Sequence, residues 1–149
     1  MMRPIKNIVL AVLFAGCAAL AGCSKSGLAP VSAVISVTAG TKPVSGLDEL
    51  VTASFTSAGF ARHADEALGL TKQWGIPAKD ADEKIRAAMA VRPGGKPDQF
   101  IVEASGLDHD VAVKIVNELT AYYCSVRSSV PLDDGKSVTL KASVVTPAK

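Results

Sequence analysis

The 149-residue sequence predicts an α+β domain, and three segments carry that expectation. Val31 to Thr38 is a short β-branched run between Pro30 and Gly40, as a strand requires. Val111, Ile115, Leu119, Tyr122 and Val126 recur at spacings of four, four, three and four, which describes one face of a long helix. Val138, Leu140, Ala142 and Val144 alternate with Thr139, Lys141 and Ser143, the period of a half-buried strand. Strands separated by helical stretches imply a small sheet of three to four strands packed with helices, in the order β-α-α-α-β-α-β.

The elements follow in turn. After the first strand, Ser45 stands three residues before Asp48, with Glu49 beside it, a capping-box-like start for a helix using Leu47, Leu50, Val51 and Phe55. Ser57 can cap a second helix that carries Phe60, Ala64, Ala67 and Leu68 and ends at Gly69. Trp74-Gly75-Ile76-Pro77 breaks the chain. Asp80 then opens a helix whose apolar face is Ile85, Ala88 and Met89, closing near Val91. Arg92 to Pro97, with two prolines and two glycines, reads as a turn before the strand Gln99–Ala104, and Met89 to Arg92 can alternatively extend and pair across it. The long helix runs from Asp108 to about Val126, with Asp108 and Asp110 at the end where the helix dipole favours negative charge.

Ahead of the domain, Arg3 and Lys6 precede the apolar segment Ile8 to Leu20, and small residues lead from there to Cys23, the order of a secretory signal peptide. Gly16 and Gly22 interrupt this run, which falls short of the ~20 continuous apolar residues that span a bilayer. The stretch Leu20-Ala21-Gly22-Cys23 resembles the lipobox of bacterial lipoproteins, in which the cysteine is lipidated after cleavage. A rival copy, Phe14-Ala15-Gly16-Cys17, would leave only Ile8 to Leu13 as the apolar core. The resemblance implies a signal peptide over 1–22, a lipidated Cys23 opening a flexible tether over 23–30, and a single α+β domain over 31–147. Several acyl chains, each held by ~0.8 kcal/mol per buried CH₂, would anchor the chain stably. Ser24 in place of Asp implies the outer membrane, with the domain facing the periplasm.

Cleavage removes Arg3 and Lys6 from the sixteen basic residues, leaving fourteen against fourteen acidic ones. A neutral mature chain has no electrostatic bias toward nucleic acid. Cys17 leaves with the signal peptide and Cys23 carries lipid, so Cys124 is the single remaining thiol and no intramolecular disulfide can form.

Phe100 to Tyr122 resembles a stretch of the Wzz-type polysaccharide chain-length determinant family. In that family a strand leads through an Asp-containing turn into a helix of the form Ala-x-x-Ile-x-Asn-x-Leu-x-x-x-Tyr. Ala112, Ile115, Asn117, Leu119 and Tyr123 occupy those places here, with Tyr122 adjacent. Leu50 to Leu70, ending in Leu68-Gly69-Leu70, is similar to the helical stretch before the family's long insertion, and Gly135 to Pro147 to the last strand of its membrane-proximal base. Family members are held by two flanking transmembrane helices and extend a long periplasmic helix. This chain has Lys72 to Arg86 at the insertion and no apolar span near Lys149.

Chemistry leaves few candidates. His63 and His109 belong to no metal-binding spacing and are expected to face solvent or cap locally. Cys124 has no base supplied by pattern and is expected to be a passive thiol in or near the core, with an intermolecular disulfide as the alternative. Pro93-Gly94-Gly95-Lys96 lacks the phosphate-loop pattern, and Ser54, Ser57 and Ser105 lack a nucleophile elbow. Asp80, Asp82 and Glu83 are expected to cap a helix start, Asp133-Asp134-Gly135 to form a turn, and Trp74 to pack over the helix break. The expectation is therefore a non-enzymatic lipoprotein with no cofactor, no metal and no catalytic residue. Its partners are the membrane, through Cys23, and proteins of a polysaccharide assembly or export complex, with self-association open. The alternative is a general envelope lipoprotein that binds a small ligand or serves an unrelated export complex.

Overall fold

Alternation along Val31–Thr38 places Val31, Ala33, Ile35 and Val37 on a buried face and Ser32, Val34, Ser36 and Thr38 on the other. In the computed structural model, which describes residues 29–39, 44–126, 128–131 and 134–149, this strand (β1) is the centre of a five-stranded sheet. The elements that follow are α1 (Leu47–Phe55), α2 (Ala58–Leu68), α3 (Leu70–Trp74), α4 (Ala78–Ala88), β2 (Met89–Pro93), β3 (Gln99–Ala104), α5 (His109–Ser125), β4 (Ser128–Pro131) and β5 (Ser137–Thr146). The segments expected as signal peptide and tether, with Cys17 and Cys23, fall in residues 1–30, of which 1–28 lie outside the described residues, as does Asp133.

The sheet order is β2-β3-β1-β5-β4, with every neighbouring pair antiparallel. Since β1 separates β3 from β5, and β3 separates β1 from β2, two β-α-β crossovers interleave in the split arrangement of ferredoxin-like folds. A helical layer closes one face: α5 lies across β1, β3 and β5, α1 meets β2, and α2 bridges α4 and α5. Between the layers sit Ile35, Phe55, Phe100, Ile85, Ile115 and Leu119, all fully buried. Each such side chain stabilises the fold by roughly 1.5–3 kcal/mol through removal of apolar surface from water.

Several expectations need correction. The sheet has five strands instead of three or four, because Met89–Pro93 pairs with β3 and Ser128–Pro131 pairs with β5. Helix α4 begins after Pro77, ends at Ala88, and hands Met89 to β2 opposite Ala104. Met89 suits either period, and the ladder offered by β3 settles it. Gly94 makes the connecting turn, its N–H donating to the Gln99 carbonyl at 2.8 Å; a Cβ there would come within 2.8 Å of Gln99 Cβ, so the close approach requires glycine. The start of α1 is Gly46 with φ 71°, and no side chain caps it, so Ser45 does not play the expected part. Ser57 does cap α2, accepting from the Phe60 N–H, but Ala67 is exposed while Ala61 and Asp65 turn inward. On α5, Tyr123 takes the buried place expected of Tyr122, and Val126 lies beyond the helix in solvent. The inward alternation of β5 lapses after Ala142, where a bulge opposite Ile35 inserts Val145 between Val144 and Thr146.

Candidate functional site

Three places gather groups capable of interaction. The first joins α2 to α5. Capping by Ser57 sets the start of α2, so Phe60 and His63, one turn apart, face Glu118 and Tyr122 on α5. His63 Nε2 lies 2.9 Å from Glu118 Oε1, and the imidazole stacks on Tyr122 at 3.8 Å and 10°. Phe60 meets Tyr122 at 5.0 Å and Phe55 at 5.5 Å, and Phe55 meets Tyr123 at 5.0 Å, which carries the aromatic contact down to the core. His63 and Glu118 remain about one-third exposed. His63 therefore neither caps nor simply faces solvent; it ties two helices together. His109 is exposed on the first turn of α5.

The second place is a cavity of about 520 Å³ where β1 leads toward α1, lined by Val37, Val44 and Leu47 and rimmed by Asp48, Glu49 and Asp98. Asp98 Oδ2 accepts from the Ser36 hydroxyl at 2.6 Å, and this bond, ahead of a backbone N–H and the Lys96 charge, holds the carboxyl below its ordinary value. A carboxyl so stabilised in its charged form is a poor proton donor near neutral pH.

The third place is a groove of about 560 Å³ between the end of α5 and β5, lined by Cys124, Val126, Thr139, Leu140, Lys141 and Ala142. Burial pushes the Cys124 thiol up, so it stays protonated and weakly nucleophilic. Cys124 is a free, half-buried thiol.

Other expected groups are structural. Asp82 faces inward from the second turn of α4, receives Arg62 Nε at 3.0 Å, and leaves its buried Oδ1 without a partner among the described residues; it does not cap the helix, whose start is Pro77. Trp74 packs against the core with Lys84 Nζ 4.2 Å from its ring centroid. Asp134 Oδ1 accepts from the Lys136 N–H in the turn before β5. Sequence reasoning missed Asp65, which is buried and accepts from both the N–H and hydroxyl of Thr71, fixing the α2–α3 junction. It placed Asn117 in a motif without a role. Asn117 clamps Ala148, accepting its N–H at 2.9 Å and donating to its carbonyl at 3.2 Å, which holds the chain beyond β5 on α5. Among the described residues no three His, Cys, Asp or Glu side chains converge as a metal would need.

No family model and no curated protein matches the chain. No helix among the described residues is long and apolar enough to cross a membrane.

Proposed function

We propose that the protein is a lipid-anchored component of the bacterial envelope, non-enzymatic, acting in the assembly, chain-length control or export of a surface polysaccharide. The observation that carries the anchor is Leu20-Ala21-Gly22-Cys23, placed behind a charged start and an apolar run. Support for the polysaccharide role comes from the resemblance of Phe100 to Tyr122 to the chain-length determinants. The antiparallel order β2-β3-β1-β5 is compatible with a base-like domain, although fold alone does not assign function.

The tether bounds the reach of the domain. Val31 opens β1 eight residues after Cys23, so the start of β1 stays within about 28 Å of the lipid even with the tether fully extended. Ala104 pairs with Val31, and Met89 with Ala104, at the tethered end of β1, while the cavity rimmed by Asp98 lies at its other end.

Two measurements test the reading. Wild-type chain is expected to take up radiolabelled palmitate and sediment with membranes, and Cys23→Ser to do neither; a variant that kept both would overturn the anchor. Deletion in a producing strain is expected to change polysaccharide length or amount. An unchanged electrophoretic profile would overturn the polysaccharide role.

A further inference from the structure

The last strand is held unevenly along its length. Ser137 to Leu140 of β5 pair with β4 and Lys141 to Thr146 lie against β1, with Leu140 buried and Ala142 packed against the core. From Ser143 to Pro147 every residue is exposed. Val144, which alternation sets on the same side as Ala142, is 41 % exposed. Val145, the bulge residue, is 49 % exposed and has no ladder partner on β1. Burial returns only at Ala148, which is 6 % exposed. There the Asn117 side chain engages both backbone groups of one residue, Oδ1 accepting from the Ala148 N–H at 2.9 Å and Nδ2 donating to its carbonyl at 3.2 Å. Val116 and Thr120, beside Asn117 on α5, are fully buried, so the helix holds the amide in place.

We propose that residues 143–149 are a flap that opens as one unit while the rest of the domain stays folded, and that the Asn117 amide is the latch that holds it shut. A segment opens locally at low cost when its side chains already face water and few contacts tie it down. Here the ties are a ladder to β1 through Ser143, Val144 and Thr146, interrupted at Val145, and the two bonds to Asn117. The hinge is Ala142, the last residue before Ala148 that packs against the core. Asn117 acts at the opposite end of the segment, so the flap is pinned at both ends with the latch made and at one end without it.

Opening bares the β1 backbone from Val34 to Ser36 on the side that β5 covers, while β3 keeps its other side. Residues 143–147 contribute no buried side chain to the layer of Ile35, Ile115 and Leu119, so that layer stays shut. The domain thereby has a strand edge it can uncover without unfolding, under the control of one side-chain amide. Neither the anchor at Cys23 nor the polysaccharide role enters.

Amide hydrogen exchange of the full chain, followed by mass spectrometry of its peptic fragments, tests the latch. Asn117→Ala removes both bonds to Ala148 and is expected to speed exchange over residues 143–149 about tenfold or more, with exchange over Gln99–Ala104 unchanged. Asn117→Asp keeps the acceptor for the Ala148 N–H and loses the donor to its carbonyl, so its rate should fall between those of wild type and Asn117→Ala. Ala148→Asp sets a charge in the buried seat and should give the same selective acceleration without altering α5; it decides the matter if Asn117→Ala does not fold. Acceleration shared equally by Gln99–Ala104 would make Asn117 an ordinary packing residue and overturn the inference. So would unchanged exchange over residues 143–149 in the folded variants.

Discussion

Ser36 and Asp98 show how a short contact tunes one ionisable group. The hydroxyl donates to the carboxylate over 2.6 Å and favours its charged form, so the folded-state pKa lies below the ordinary carboxylate value. The stability linked to this group is complete above the ordinary pKa and is lost as pH falls through the depressed one. Ser36→Ala is expected to raise the Asp98 pKa toward its ordinary value, read from the side-chain carbonyl chemical shift during an NMR titration; an unmoved midpoint would place the cause elsewhere. Neither residue attracts notice in the sequence, because 62 positions separate them and polar residues at a strand end and in a turn are commonplace. His63 and Glu118 were hidden in the same way by a separation of 55 positions. Asn117 stood out only through a resemblance, and its partner Ala148 is 31 residues away.

Local signals served the elements unevenly. Asp108 announces α5 in the sequence and caps it in the structure, its Oδ1 accepting from the N–H groups of Asp110 at 3.1 Å and Val111 at 3.4 Å. Asp108→Ala is expected to cost about 1 kcal/mol, measured as a lowered midpoint in urea unfolding followed by far-ultraviolet circular dichroism. Where two local signals competed, the chain followed the one compatible with its neighbours. Ser45 offers a cap for α1, yet Gly46 enters the left-handed region and begins the helix itself. Met89 extends the helical spacing of Ile85 and Ala88, yet β3 draws it into a ladder and the Ala88 carbonyl accepts from the Ser105 N–H. β4 escaped notice because four residues are too few to display a period.

In the whole molecule, stability resides where α5 crosses β1, β3 and β5. Leu119 is fully buried there, and Leu119→Ala is expected to destabilise the fold by about 2–5 kcal/mol through lost burial and the cavity left behind. Val126→Ala, at the exposed end of the same apolar spacing, should change the urea midpoint little; comparable losses for the two would contradict the packing described. Spacing alone ranks these residues together. Their difference arises because α5 ends at Ser125, before Val126 can reach the layer between helix and sheet.

The α+β class, β1, β3, the long helix and the capped starts at Ser57 and Asp108 are written in the chain, because amphipathic period and capping are properties of neighbours in sequence. Strand order, the interleaved crossovers, the pairing of β2 and β4, the bulge at Val145 and the meeting of His63 with Glu118 are not. They depend on which surfaces meet once the apolar faces have collapsed together, and residues tens of positions apart leave no shared local pattern to mark that meeting.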